Sequence, residues 1–201
     1  MEIKALFTDV GGVLLTNGWE SNYRRRAAEL FHLDFAQVET RHRLAFDTFE
    51  IGKITFDEYL RHIVFYQPRD FSMEDFKAFA FAQSQALPQM IELVQQVKAR
   101  NGVKVAVISN EGRELNEYRI PKFGLASFVD FFVTSCFVGL RKPDPAIFRL
   151  AIDLGQVPPS QTVYLDDRPL LVEAAATLGF KAVHHTSYET TRQALLDLGL
   201  S

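Results

Sequence analysis

The chain contains little of several features that would point to particular classes of protein. It has one cysteine, Cys136, so it can form no intramolecular disulfide and has no cysteine cluster for zinc. Its formal net charge of −3 includes no basic excess, which argues against binding to nucleic acid or to an anionic membrane. No apolar run approaches the roughly 20 residues of a membrane span, and the N-terminal segment lacks the pattern of a signal peptide. We therefore expect a soluble, cytoplasmic protein.

The chain does contain enough apolar material for a substantial core. Its 201 residues, 47% of them hydrophobic, suit one domain or one core domain with a modest insertion. Short apolar runs typical of buried strands alternate with helical patterns, and these runs are Ile3–Phe7, Val103–Ile108, Phe131–Val133, Val163–Leu165 and Ala182–Val183. The best-marked helix has Asp144 as its N-cap, Pro145 at its first position and Gly155 at its stop. This alternation predicts an α/β fold with a Rossmann-like parallel sheet covered by helices on both faces.

The segment 17–85 breaks the alternation, because it reads as helices only. Three helix starts are marked by side chains that can cap them, at Asp34, Thr55 and Ser72. We therefore expect an α/β core formed by residues 1–16 and 86–201, with residues 17–85 as an all-helical cap subdomain. An insertion after the first strand lies above the carboxyl edge of the sheet, where open α/β sheets bind ligands.

Polar residues follow the predicted strands at the points where those strands end. They are Asp9, the pair Ser109-Asn110 and the pair Asp166-Asp167. Lys142 lies in the segment between these two pairs. Three carboxylates that converge in one crevice cannot all stay ionised without a positive partner, and Mg²⁺ is the natural candidate. A lysine and a hydroxyl beside them suit a phosphoryl group. Asp9 could then act as the nucleophile and form an aspartyl-phosphate.

With these residues the chain resembles the haloacid dehalogenase (HAD) superfamily, in its phosphatase branch with a small helical cap of the C1 type. Four segments carry the resemblance in the family's order, namely Asp9-x-Gly11-Gly12-Val13, Val107–Asn110, Val138–Phe148 and Tyr164–Pro169. Gly52–Tyr59 is also similar to cap sequences of that branch. The resemblance extends to sugar-phosphate phosphatases and to the phosphatase domain of soluble epoxide hydrolases.

The resemblance implies roles for individual residues. Asp9 would be the nucleophile and a metal ligand, and Lys142 would be catalytic and would hold the phosphoryl oxygens. The phosphate would also be bound by Ser109, Asn110, Gly11 and Gly12. The Mg²⁺ ligands would be Asp9, the Gly11 carbonyl, Asp167 directly, and Asp166 either directly or through water.

Gly11 departs from the family's pattern, because phosphatases of the superfamily usually carry aspartate there to protonate the leaving alkoxide. Such general acid–base help is worth about 10²–10⁴-fold in rate. Three interpretations remain open. Another acid substitutes, from the cap or as metal-bound water; the substrate has a good leaving group; or turnover is vestigial.

The leading functional prediction is a Mg²⁺-dependent phosphatase that acts on a small phosphorylated metabolite, such as a sugar phosphate, with neither nucleic acid nor membrane as a partner. The alternatives are a 2-haloacid dehalogenase-type hydrolase and a catalytically weak binding or regulatory module. The histidines show no ligand spacing and lie away from the motifs, so we expect surface residues or satisfied, partly buried ones. Arg24-Arg25-Arg26 indicates a solvated helix face, and Trp19 suits the crevice and a packing position equally well.

Overall fold

A computed structural model describes residues 2–201, which form a five-stranded parallel sheet with the strand order β3-β2-β1-β4-β5. The strands are β1 (Ala5–Thr8), β2 (Lys104–Ser109), β3 (Phe131–Thr134), β4 (Thr162–Asp166) and β5 (Lys181–His184). The central strand β1 pairs with β2 on one side and with β4 on the other. The predicted α/β fold class is confirmed.

Helices cover both faces of this sheet. They are α5 (Pro88–Asn101), α6 (Arg113–Lys122), α7 (Ser135–Val138), α8 (Pro145–Gly155), α9 (Pro169–Thr177) and α10 (Tyr188–Asp197). Neighbouring residues of β1 point to opposite faces, so that Leu6 packs with α5 and α10 while Phe7 packs with α8 and α9. Both side chains are fully buried, which explains why the strand is continuously apolar.

Helix α8 begins as the sequence predicts, since the Asp144 carboxylate accepts a hydrogen bond of 2.8 Å from the Ala146 N–H and Pro145 follows it. It also ends at Gly155 as predicted, and Gln156 after it adopts the left-handed conformation with φ 52°. Gly155 allows close packing, because a Cβ there would lie 2.9 Å from the Phe7 ring.

Four further helices lie between β1 and α5, namely α1 (Ser21–Leu30), α2 (Phe35–Glu50), α3 (Phe56–Ile63) and α4 (Met73–Ala82). The predicted caps Asp34, Thr55 and Ser72 each accept a backbone N–H from their helix. These helices share an aromatic core of their own. Arg24 is part of that interior, contrary to the expected solvated face: it is buried and pairs with Glu39, Nε to Oε1, at 2.5 Å. None of the helices in residues 2–201 is long and apolar enough to cross a membrane.

Candidate active site

The ends of β1 and β4 bring three carboxylates together. Asp9 directly follows β1, whose Thr8 is paired with Leu165 of β4, and the Asp9 N–H donates a 2.9 Å hydrogen bond to the Leu165 carbonyl. Asp166 ends β4 and Asp167 follows it. One carboxylate oxygen from each of Asp9, Asp166 and Asp167 lies within 4.8 Å of the others. Parallel pairing therefore places the predicted acids at one edge of the sheet.

Lys142 lies between two of these acids. Its Nζ is 2.9 Å from Asp9 Oδ2 and 2.7 Å from Asp166 Oδ2, and only 1% of the residue is exposed. Burial by itself lowers the pKa of this ammonium, but the carboxylates of Asp9 and Asp166 together raise it above its ordinary value. Lys142 is thus a permanently charged group at neutral pH.

Asn110 fixes the backbone that carries this lysine. Its side-chain Nδ2 donates to the Lys142 carbonyl at 2.9 Å, and its Oδ1 accepts from the Lys142 N–H at 2.8 Å. Both the nitrogen and the oxygen of the Asn110 amide are therefore bonded to the backbone of one residue. The end of β2 and the segment before α8 are held in register by this pair of hydrogen bonds.

Burial and the neighbouring charges act in opposite directions on the pKa of the Asp9 carboxyl. Burial raises its pKa, the Lys142 ammonium lowers it and the Asp166 carboxylate raises it again, with a resulting pKa of about 6. Its Oδ1 accepts a hydrogen bond of 2.7 Å from the Val10 N–H. Asp9 is therefore mostly ionised at neutral pH, as a nucleophile must be.

The two acids after β4 differ in how their oxygens are satisfied. Asp166 accepts hydrogen bonds from Lys142 Nζ, from the Tyr164 hydroxyl and from the Arg168 N–H. Asp167 accepts one hydrogen bond at Oδ2, from Asn17 Nδ2 at 3.1 Å, while its buried Oδ1 has no partner among residues 2–201. An unpartnered buried carboxylate oxygen beside Asp9 fits a hard cation such as Mg²⁺, which prefers oxygen ligands.

The two glycines after Asp9 serve different purposes. Gly12 has φ +71°, and a Cβ there would lie 2.2 Å from Asp167 Oδ2, so both its conformation and its space require glycine. Gly11 needs no left-handed conformation. A Cβ at Gly11 would meet only the tip of the Asn17 side chain, 2.8 Å from Oδ1. Asn17 therefore takes up the space into which an acid at position 11 would extend, and an amide cannot donate a proton as an acid does.

A cleft of about 260 Å³ opens above the strand ends. Five of the predicted site residues line its floor, namely Asp9, Gly11, Ser109, Asn110 and Lys142. Gly12, Asp166 and Asp167 are not among its lining residues. The opposite wall comes from the helical segment and the loop before it, with Trp19, His42, Phe46, Phe49 and Glu50.

His42 and Glu50 were not singled out as site residues from the sequence. His42 is buried, and burial together with the Arg24 guanidinium lowers its pKa to about 4. Burial raises the pKa of Glu50 to about 7, against the opposing effect of Arg141, whose Nη2 lies 2.6 Å from Glu50 Oε2. His42 is buried and hydrogen-bonded to Tyr59, in agreement with the expectation of satisfied, partly buried histidines, but it also lines the cleft. The position of His42 at the cleft results from the packing of α2, and no spacing of metal ligands in the sequence predicts it.

Arg119 is a further buried charge near the cleft that no motif indicates. It pairs with Glu111, Nη1 to Oε1, at 2.5 Å, and Glu111 also accepts from Asn116 at 2.7 Å. Arg119 also donates to the Thr16 carbonyl at 3.0 Å and to the Ser84 hydroxyl at 2.9 Å. Thr16 and Ser84 belong to the two connections between the sheet and the helical segment, so this one guanidinium binds both connections to the end of β2.

A family model for haloacid dehalogenase-like hydrolases matches residues 3–179, so the chain belongs to that family of hydrolases. Among curated proteins it is similar to flavin mononucleotide hydrolase 1 of Arabidopsis thaliana, with 27% identity over 82% of this chain and 66% of that protein. It is also similar to bifunctional epoxide hydrolase 2 of Sus scrofa, with 25% identity over 58% of this chain and 21% of that protein. The chain thus spans two thirds or less of these relatives.

Solved structures of HAD proteins share the fold. A predicted HAD-like hydrolase from Porphyromonas gingivalis superimposes with a TM-score of 0.80 and 21% identity, covering 98% of each chain. A HAD family enzyme from Bacteroides thetaiotaomicron, in complex with magnesium and inorganic phosphate, gives a TM-score of 0.76 and 21% identity over 92% of this chain and 94% of that one. The predicted family and hydrolase class are confirmed.

Proposed function

We propose that this protein is a Mg²⁺-dependent phosphatase that hydrolyses a small phosphorylated metabolite through an aspartyl-phosphate on Asp9. The observation that carries the proposal is the contact of a buried lysine with Asp9, which belongs to a cluster of three carboxylates and itself lines the cleft. The similarity to a flavin mononucleotide hydrolase, and the magnesium and phosphate bound by a protein of the same fold, support the same reaction class.

The chemistry divides into two displacements at phosphorus. An Asp9 carboxylate oxygen forms a bond to phosphorus and the ester bond breaks. The leaving oxygen takes the electron pair and, because position 11 is glycine, a proton from water. Water then attacks the aspartyl-phosphate, which releases inorganic phosphate and restores the carboxylate. Lys142, with Ser109 and Asn110 beside it, neutralises and positions the phosphoryl oxygens.

Asp9, Asp166, Asp167 and the carbonyl of Gly11 would hold the metal. When bound, Mg²⁺ neutralises charge on the carboxylates and on the phosphoryl group. The unpartnered Oδ1 of Asp167 supports this assignment, because it leaves one ligand oxygen without any protein donor.

We also propose that residues 17–85 act as the cap subdomain over a core of residues 1–16 and 86–201. The separate aromatic core of the helical segment supports this division. So do the polar contacts that join the segment to the core, from Ser135 Oγ to the Glu50 carbonyl at 2.6 Å and from the Phe56 N–H to Glu114 at 2.9 Å. Specificity would then come from cap side chains that line the cleft.

The test measures phosphate release from a panel that includes p-nitrophenyl phosphate, sugar phosphates and flavin mononucleotide, with and without Mg²⁺. We expect turnover to require the metal and to fall at least about 10³-fold in Asp9→Asn, because the nucleophile is lost. Asp153→Asn, an exposed acid on α8, is the matched control and should retain full activity.

Two results would contradict the proposal. One is phosphate release that persists after chelation or in Asp9→Asn. The other is chloride release from 2-chloropropionate without phosphate release from any ester, which would instead assign the dehalogenase reaction.

A further inference from the structure

The wall of the cleft opposite Asp9 contains a chain of hydrogen bonds that ends at His42. Trp19 Nε1 lies 3.0 Å from the Tyr59 hydroxyl, which lies 2.6 Å from His42 Nδ1. Tyr59 is completely buried, and these are its hydroxyl's two partners among residues 2–201. The positions of the protons along this chain follow from the donor capacity of each group.

An indole nitrogen is a donor only, so Trp19 must donate to the Tyr59 oxygen. The hydroxyl proton of Tyr59 then has one acceptor available, His42 Nδ1. Burial raises the pKa of Tyr59 far above the neutral range, so the phenol keeps this proton. If Nδ1 carried the proton instead, the buried Tyr59 hydroxyl would have no acceptor, which is costly.

A neutral imidazole that accepts at Nδ1 carries its proton on Nε2. His42 Nε2 has no hydrogen-bond partner in the described chain and is not fully enclosed by protein. Because His42 lines the cleft, we infer that this nitrogen faces it. The lowered pKa of about 4 is consistent with a neutral ring at physiological pH.

We propose that His42 is a specificity-determining residue whose Nε2–H donates a hydrogen bond to a hydroxyl or carbonyl oxygen on the leaving group of the substrate. The aromatic rings of Trp19, Phe46 and Phe49 offer apolar surface beside it on this wall, and the polar side chains of Arg24 and Glu50 also line the cleft. The substrate class is therefore a phosphate ester whose alcohol part carries further hydroxyl or carbonyl oxygens, such as a sugar or polyol phosphate. Tyr59 and Trp19 are positioning residues that fix the tautomer. This inference rests on the proposed phosphatase function.

Two substitutions separate the donor from the rest of the ring. His42→Gln places an amide N–H where Nε2–H was. His42→Asn keeps an acceptor for Tyr59 at the place of Nδ1 and removes the donor. The substrates are ribose 5-phosphate and n-pentyl phosphate, which are esters of primary alcohols with the same number of carbons and differ in their oxygens.

We expect kcat/KM for ribose 5-phosphate to fall about tenfold in His42→Asn, the worth of one hydrogen bond, and to change less than about threefold in His42→Gln. The ratio of kcat/KM for ribose 5-phosphate to kcat/KM for n-pentyl phosphate should therefore fall about tenfold in His42→Asn and stay within about threefold in His42→Gln, and circular dichroism shows whether both variants are folded. Equal losses in the two variants, or the same loss on both five-carbon esters, would overturn the inference.

A nitrogen-15 NMR experiment tests the tautomer without relying on turnover. In Asp9→Asn protein with Mg²⁺, the His42 ring should carry its proton on Nε2, and that resonance should shift on addition of ribose 5-phosphate but not of n-pentyl phosphate. A proton on Nδ1, or no shift, would refute the role of His42. If wild-type protein hydrolyses no ester while Nε2 still shifts, the phosphatase proposal fails and the binding role of His42 stands.

Discussion

Replacing Gly11 with aspartate tests the reasoning about the missing acid most directly. The backbone at Gly11 needs no left-handed conformation, and a new Cβ would meet only the Asn17 side-chain tip, at 2.8 Å from Oδ1. Moving Asn17 breaks its hydrogen bond to Asp167, which at a charged acceptor is worth about 1.5–3 kcal/mol. We therefore combine Gly11→Asp with Asn17→Ala, which removes the obstruction.

The expected gain depends on the leaving group. General acid catalysis is worth about 10²–10⁴-fold, or roughly 3–5 kcal/mol of activation free energy. An alkyl phosphate leaves as a strongly basic alkoxide and needs this proton, whereas p-nitrophenolate does not. The doubly substituted protein should therefore raise kcat for an alkyl phosphate by up to about 10²-fold and leave kcat for p-nitrophenyl phosphate within about threefold.

The assay compares kcat for the two esters across pH 5–9. The new acid should add an alkaline limb to the alkyl phosphate profile, because the carboxylate form cannot donate. Gly11→Asn with Asn17→Ala has nearly the same shape without an acid and should show no gain. If this control accelerates the alkyl ester equally, or if both esters accelerate together in the aspartate variant, then the missing proton does not limit the reaction.

Two further predictions concern buried charge. Folded Glu50 has a raised pKa of about 7 and keeps a proton that the unfolded chain has lost, so the wild type loses stability as pH rises from 4.5 to about 7. Glu50→Gln lacks this titration, so its free energy of unfolding relative to wild type should rise by about 3 kcal/mol over that range. Equal differences between the two proteins in urea denaturation at pH 5 and pH 8 would contradict this prediction. Arg119→Leu should lower the free energy of unfolding by about 3–5 kcal/mol, because it leaves Glu111 as a buried unpaired charge. The double variant Arg119→Leu with Glu111→Leu should lose less than the sum of the single changes in the same urea titration, and strict additivity would show that the two groups are not coupled.

Much of the fold was predictable from local patterns. Strands such as β1 and β2 are short apolar runs, and the helix caps Asp34, Thr55 and Ser72 satisfy backbone groups within their own helix. These signals act over a few residues and so are visible in the chain itself. The end of α8 at Gly155 was predicted too, but the contact that requires glycine there was not, because the Phe7 ring belongs to a strand that is distant in sequence.

The candidate site likewise has a part that local sequence patterns predict and a part that depends on tertiary packing. Asp9 and the pair Asp166-Asp167 end strands, and adjacent parallel strands bring their carboxyl ends together, so their convergence could be expected. The two partners of Lys142 are an acid from β1 and one from β4, and its buried position between them depends on how the segment before α8 is held by Asn110. The sequence indicated the chemical type of each group but none of these distances.

The sequence by itself therefore determined the α/β class, the acids at the strand ends, the lysine before α8, and the absence of an acid at Gly11. Tertiary structure alone decided that Asn17 fills the space beside Gly11 and that Arg24 is buried. It also decided that His42 lines the cleft and is hydrogen-bonded to Tyr59. The physical reason is that capping and strand periodicity act between near neighbours in the chain. Hydrogen bonds and burial in the cleft join residues far apart in sequence, and their partners exist only once the helices have packed.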